Sequence, residues 1–137
     1  MANTQITSAD SFERCLRRNV VEAWFSRCAD DQYGGFICDF SQNWTHQGSP
    51  EKLAEFQSPP TMVAAEAAQA FPDVTWLPDL ALKGFTFLRD VMWDKTHGGW
   101  FHRVTRDGIP VQRSTKHVHG MAYALQACAT VHALSGE

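Results

Sequence analysis

The sequence predicts an all-α protein built from two copies of one helix–hairpin–helix unit. Apolar residues recur at spacings of three and four along most of the chain, which is typical of amphipathic helices. Two glycines followed by an aromatic residue occur twice, at residues 34–36 and 98–100, with an offset of 64 residues (98 − 34). We therefore expect two repeats, over about residues 10–71 and 79–134, within one partial domain spanning 1–137.

The first helix is expected to begin at Asp10. Its carboxylate can accept from backbone N–H groups as an N-cap, and Glu13, three residues on, can reach back toward it. Apolar side chains then follow at helical spacing to about Arg27 and should form one buried stripe. That predicted stripe consists of Phe12, Cys15, Leu16, Val20, Ala23 and Trp24.

The first hairpin and second helix are expected next. The two glycines of the first repeat permit a tight bend, and residues 36–40 have strand-like composition. Residues 41–55 are polar and contain Gly and Pro, which predicts a loop. Because proline is tolerated in the first turn of a helix, Pro59 and Pro60 should open an Ala-rich helix that ends near Phe71.

The second unit is predicted in the same way. A helix should start near Asp79, and Asp107-Gly108 should form the turn of the second hairpin. A fourth helix is expected over about residues 116–134, with Gly136 as its C-cap. This helix is apolar on two sides and should be buried nearly all round. Since two repeats cannot supply that cover, we expect either a homo-oligomer or a missing C-terminal portion.

Composition narrows the classes of partner. The net charge of −3 comes from interspersed acidic and basic residues, which argues against nucleic acid and anionic membranes as partners. No apolar run approaches the 18 or so residues that span a bilayer, and we expect a cytoplasmic protein. The four cysteines show no metal-binding or disulfide-scaffold spacing.

Three segments carry a family resemblance: residues 31–36 (DQYGGF), 87–100 (FLRDVMWDKTHGGW) and 116–125 (KHVHGMAYAL). They resemble the N-terminal third of the N-acylglucosamine 2-epimerase family, which includes cellobiose 2-epimerases and aldose–ketose isomerases. The resemblance implies a partial (α/α)6 toroid, a small-molecule sugar as partner, no cofactor, and proton transfer at the sugar C2. The histidines that exchange that proton lie on later helices in the family, so the catalytic residues are unknown here.

The resemblance also implies three sugar-contacting candidates. His119 stands where relatives often carry a Tyr that lines the pocket, and Gln57 precedes the second helix. Trp100 follows the second glycine pair and can stack on a sugar face. For each there is a structural alternative: a local hydrogen bond, loop packing, or packing on a neighbouring helix. Where relatives place an Arg that reaches the sugar, this chain reads Ser-Pro-Pro at residues 58–60.

Other chemistry is weakly represented. His117 and His119 are two residues apart, so on a helix they point in nearly opposite directions, and only an extended start would put them on one side. We therefore expect no metal. Asp30 and Asp94 are equivalent in the repeat, which favours turn or capping roles. No acidic pair, P-loop, HExxH or GxSxG motif indicates another enzyme class. The alternative function is a non-catalytic remnant or interaction module.

Overall fold

The computed structural model describes residues 8–111 and 115–136. Helices form most of it, and two short strands pair across the two units. In the described part, no helix combines the length and apolar character that crossing a membrane requires. In chain order the elements are α1 (Ala9–Cys15), a first π-helical segment (Leu16–Glu22), α2 (Ala23–Cys28), β1 (Glu51–Leu53), α3 (Ala54–Ala70), α4 (Leu77–Thr86), a second π-helical segment (Phe87–Met92), β2 (Arg103–Thr105) and α5 (Val118–Ser135).

The predicted start of the first helix is wrong by two residues. Ser8, not Asp10, is the N-cap, and its side chain accepts from the backbone N–H of Ser11. The Ser11 side chain and the Ser8 backbone complete a capping box. The hydroxyls of Ser8 and Ser11 therefore cap the helix, whereas the sequence predicted capping by the carboxylates of Asp10 and Glu13.

The predicted apolar stripe of the first helix is also partly wrong. Phe12 and Val20 are exposed, whereas Val21 and Phe25 are buried in the core. The first π-helical segment explains the change, since i to i+5 bonding has more residues per turn than an α-helix and rotates the following face. A stripe extrapolated at 3.6 residues per turn therefore misses the residues that reach the core.

Helix α3 begins five residues before Pro59, where the sequence predicted its start. It starts at Ala54, so Pro59 and Pro60 lie inside it and not at its first position. A proline within a helix leaves the carbonyl four residues earlier without its usual N–H donor. Here the Phe56 carbonyl accepts from the thiol of Cys38 at 3.2 Å instead. This hydrogen bond from the first hairpin helps α3 to accommodate two prolines that are usually found only in the first turn of a helix.

The later elements match the prediction closely. Helix α4 starts two residues before Asp79, and α5 ends at Ser135 with Gly136 as its C-cap, in the expected left-handed backbone conformation (φ +77°). The second hairpin turns at Gly108 (φ +94°), where the Thr105 N–H donates to the Ile109 carbonyl at 2.7 Å. The predicted third and fourth helices, which are α4 and α5, and the turn of the second hairpin are therefore confirmed.

Helix α3 lies between two other helices. It packs against α4 and against α5, and alanines form much of its buried surface. Gly84 of α4 is buried, and a Cβ atom there would overlap the Thr61 side chain and the Phe36 ring. The small residues allow the helix backbones to approach closely. The buried alanines of α3 are Ala54, Ala64, Ala65, Ala67 and Ala68.

Helix α5 is covered on one face only within the described part of the chain. Ala124, Ala127 and Val131 are buried toward α3. On the other side, Val118 is 75% exposed and Leu125 is 64% exposed. The apolar outer face that the sequence predicted thus lacks the all-round burial expected for it.

In the first unit, Asp30 organises the hairpin. Its Oδ1 accepts from the backbone N–H groups of Gln32 (3.2 Å) and Tyr33 (3.3 Å), and its Oδ2 accepts from Lys52 Nζ (2.9 Å). Arg106, from the second unit, adds two more hydrogen bonds, at 2.8 and 3.1 Å. Asp30 is therefore a turn and ion-pair residue, as its place in the repeat predicted.

Asp94 repeats this arrangement in the second unit. Its Oδ1 accepts from the N–H groups of Thr96 (2.9 Å) and His97 (3.0 Å), and Lys116 Nζ donates to its Oδ2 at 2.8 Å. The structural role predicted for both aspartates is confirmed. We call each arrangement an Asp–Lys clasp.

Candidate functional site

The first turns of α3 and α5 lie side by side. They are in contact at Gly120, where a Cβ atom would lie at ordinary contact distances of 3.5 Å from the Ala54 Cβ and 3.6 Å from the Glu55 nitrogen. The second hairpin joins them, since the Ala54 N–H donates to the His102 carbonyl at 3.0 Å. Two helix starts and one hairpin therefore converge on one place.

Five polar side chains meet there, and we call them the histidine cluster: Glu55, His102, His117, His119 and Tyr123. Glu55 Oε2 lies 3.2 Å from His117 Nδ1 and 3.6 Å from His102 Nδ1. The His102 and His117 rings are 5.1 Å apart, and the His119 ring lies edge-on to Tyr123 at 4.7 Å. The cluster gathers imidazole, carboxylate and phenol groups from three elements.

The backbone at the start of α5 brings its two histidines together. His117 is the N-cap and has an extended backbone (φ −109°, ψ 113°), and the helix begins only at Val118. With that geometry a spacing of two residues places both rings on the same side, with centroids 6.0 Å apart. The extended start that the sequence analysis named as the condition for this pair is present.

Two atoms of the cluster are buried without a hydrogen-bond partner. They are Glu55 Oε2 and His102 Nδ1. The Glu55 oxygen lies near two imidazole nitrogens but accepts a hydrogen bond from neither. Leaving a buried polar group unpaired costs about 1–3 kcal/mol. Such atoms are typical of a place that binds a polar ligand or ion.

The other two predicted sugar contacts lie outside the cluster. Gln57 is 2% exposed, and its amide oxygen and nitrogen bond the Phe36 N–H (2.7 Å) and carbonyl (2.9 Å). Trp100 donates from its indole N–H to the Leu88 carbonyl at 3.0 Å and packs edge-on against Trp93. Sugar contact by Gln57 or Trp100 stays a prediction, and both side chains have structural partners.

A cavity of about 310 Å³ lies beside the first hairpin, within the size range of small-molecule sites. Two of its polar groups, the Gln57 amide and the Lys52 ammonium, already bond the hairpin. Its lining includes Phe36, Cys38, Lys52, Phe56, Gln57 and Arg106. The cavity therefore offers apolar surface more than free polar groups.

Glu55 and His102 are not predicted from the sequence. A helix start at Pro59 and Pro60 would leave Glu55 in a polar loop, whereas α3 begins at Ala54. The repeat offset held a signal, since it relates Glu55 to His119 and so predicts that both belong to equivalent first turns. His102 carried no such signal, because its position depends on the contact between the second hairpin and α3.

Comparison with known proteins adds independent findings. Residues 61–137, more than half of the chain, match the N-acylglucosamine 2-epimerase (GlcNAc 2-epimerase) family. No match was found among curated proteins.

Solved structures match nearly the whole chain. Cellobiose 2-epimerase from Spirochaeta thermophila DSM 6192 superimposes with a TM-score of 0.80 and 25% identity, over 93% of this chain and 31% of that one. A D-mannose isomerase superimposes with a TM-score of 0.84 and 17% identity, over 98% of this chain and 33% of that one. Cellobiose 2-epimerase from Bacillus thermoamylovorans B4167 superimposes with a TM-score of 0.78 and 18% identity, over 93% of this chain and 33% of that one.

The chain spans about a third of the length of these structures. Its helices have the arrangement of part of an (α/α)6 toroid, as the family resemblance implied. The match to the family and the shared fold agree with the three segments that carried the resemblance. The chain therefore belongs to the N-acylglucosamine 2-epimerase family.

Proposed function

We propose that this chain is the sugar-binding first third of a sugar 2-epimerase or aldose–ketose isomerase. The observation that carries the proposal is the histidine cluster at the starts of α3 and α5. It places His119 among polar groups that can hydrogen-bond sugar hydroxyls. The family match and the names of the similar structures supply the substrate class.

The reaction sets what the rest of the protein must supply. Changing the configuration at C2 requires removal of a proton beside the carbonyl and return of one to the opposite face. Two opposed acid/base groups do this, together with donors for the developing oxyanion. We propose that the opposed groups belong to helical units that pack on the outer face of α5, where Val118 and Leu125 are exposed.

A second candidate is a non-catalytic interaction module. It is favoured by Pro59, which stands where relatives carry a sugar-reaching Arg and which supplies no donor. On this reading the outer face of α5 binds another protein or a second copy, and the histidine cluster has no sugar to contact.

Sugar binding and proton exchange are tested in one experiment. The chain, treated with EDTA, is incubated in D2O with mannose, N-acetylmannosamine or cellobiose and followed by NMR. We expect sugar-dependent shifts of the His119 and Tyr123 ring signals, and no deuterium at the sugar C2 with this chain alone. His119→Phe should weaken binding several-fold, whereas His46→Phe should leave it unchanged.

The outcomes separate the two candidates. Absence of any shift at saturating sugar contradicts the sugar-binding proposal and favours the interaction module. Deuterium at C2 contradicts the placement of the acid/base groups outside this chain, because exchange is the chemistry itself and needs no net conversion.

A further inference from the structure

We propose that Glu55, His117 and His119 form a binding site for one divalent transition-metal ion of the zinc class. The sequence predicts no metal, because the extended backbone of His117 before α5 leaves no signal in it. The inference goes beyond the proposed function and shares His119 with it, but its test contains no sugar and therefore succeeds or fails separately.

The three ligand atoms are already close. One nitrogen from each histidine and one oxygen from Glu55 all lie within 4.8 Å of one another. In a tetrahedral site with metal–ligand bonds of about 2.1 Å, ligand atoms are separated by about 3.4 Å. The side chains therefore need to close by about 1.4 Å at most. His117 is 52% exposed at its side chain and can make that movement by rotation.

The donor set selects the ion. Two imidazole nitrogens and one carboxylate oxygen suit Zn²⁺ and its neighbours, whereas Mg²⁺ and Ca²⁺ require mostly oxygen ligands. Three protein ligands leave one position open to water or to a ligand oxygen. The site is thus of the open kind and not a closed structural zinc site.

An unpartnered buried atom points to the same ion independently. Glu55 Oε2 is buried and accepts no hydrogen bond, although it lies 3.2 Å from His117 Nδ1 and 3.6 Å from His102 Nδ1. A bound cation would satisfy that oxygen and would orient both imidazoles toward it. Glu55 also lies in the first turn of α3, which is one of the rigid helix starts that hold the ligands.

His102 is suited to a positioning role. Its buried Nδ1 lies 3.6 Å from the Glu55 oxygen and lacks a partner. When carrying hydrogen, that nitrogen can donate to the carboxylate and fix its orientation toward the ion. Its backbone carbonyl caps α3, which keeps the ring in place.

The test uses the EDTA-treated chain without sugar. Isothermal titration with ZnCl2 should show one saturable site per chain. Glu55→Gln and His119→Phe should each weaken Zn²⁺ binding at least about tenfold, since even outer-sphere partners are worth 10–100-fold. His102→Gln should weaken it less than either ligand variant, and His46→Phe should have no effect.

Three results would overturn the proposal: no saturable binding, unchanged affinity in the two ligand variants, or an equal loss in the His46 control. A second measurement needs no variant and therefore does not depend on their folding. Co²⁺ added to the wild-type chain should give a visible absorption band that saturates at one equivalent and disappears when Zn²⁺ displaces it. A colourless titration would contradict the site.

Discussion

The two units carry the same Asp–Lys clasp in different surroundings. In the first unit the Asp30 and Lys52 side chains are 1% and 4% exposed, and Arg106 of the second unit covers them. In the second unit the Asp94 and Lys116 side chains are 8% and 31% exposed. The comparison shows how one unit, by packing on its neighbour, converts a partly exposed ion pair into a buried one.

The two carboxylates also differ in what keeps them ionised. Burial opposes the charge on Asp30, but hydrogen bonds from Arg106 and Lys52 outweigh it and hold the pKa well below its usual range. For Asp94, the hydrogen bond from Lys116 is the main cause of a lowered pKa, and the His97 N–H adds to it. Both pKa values are lowered, so it is the deeper burial of the first clasp that should make its loss cost more than loss of the second.

The largest expected effect is that of Asp30→Asn. It leaves the Lys52 ammonium buried without a counter-charge, and breaking a buried pair in this way costs about 3–5 kcal/mol. Asp94→Asn is the matched control and should cost clearly less, because Lys116 can turn toward water. Urea unfolding measures both. Equal losses would mean that cover by the second unit does not strengthen the clasp.

The next largest difference in stability is expected between alanine substitutions at equivalent glycines of the two hairpins, Gly35 and Gly99. Gly35 has φ +67°, and a Cβ there would lie 2.5 Å from Gln57 Oε1 and 2.8 Å from the Phe87 ring. Gly35→Ala should cost about 3 kcal/mol, from the left-handed backbone and the overlap together. Gly99→Ala should cost about half as much, since its nearest neighbour is the flexible Met121. Thermal unfolding compares the two variants, and the reverse order would contradict this reading.

Gln57→Met should reduce the free energy of unfolding by a smaller amount again. The change places in the first unit the residue type that the second unit has at the equivalent position, Met121. It removes both hydrogen bonds to the Phe36 backbone, with an expected loss of about 2 kcal/mol. Met121→Leu should cost under about 1.5 kcal/mol as a size-matched apolar control. If Gln57→Met is neutral in denaturant unfolding, Gln57 is free for the sugar role predicted for it.

Low pH should reduce the free energy of unfolding through the Asp30 carboxylate. The pKa of Asp30 is lowered in the folded state, so its contribution is present above the unfolded value of about 3.9 and is lost as pH falls toward the folded pKa. Asp30→Asn should accordingly flatten the fall in stability below about pH 4. The free energy of unfolding measured at several pH values tests this. A fall as steep in the variant as in the wild type would assign acid sensitivity to other groups.

Local features could be predicted from sequence, and features set by contacts between units could not. The Gly-Gly bends and their aspartates, the Gly108 turn and the Gly136 cap follow from short-range backbone rules. The start of α3 was missed because a proline rule that usually holds was offset by a partner from the hairpin, Cys38. The pairing of β1 with β2 joins distant segments and left no local pattern.

The candidate site divides in the same way. His119 comes from the resemblance and lies in the first turn of α5, but its contact with a sugar stays a prediction. The extended backbone at His117 is a condition that the sequence could state and could not predict. Glu55 and His102 reach the cluster only because two helix starts and a hairpin meet. The repeat offset was the one sequence signal that related Glu55 to His119.

The most direct test of the difference between the units is native-state hydrogen exchange, followed by mass spectrometry. Residues 61–67 of α3 and 125–131 of α5 are equivalent in the repeat, but only α3 lies between two helices in the described chain. Slower exchange in residues 61–67, by at least about tenfold, is the expected result, because better-packed helices open less often. Equal or slower exchange in residues 125–131 would contradict it and show that the outer face of α5 is already covered in solution.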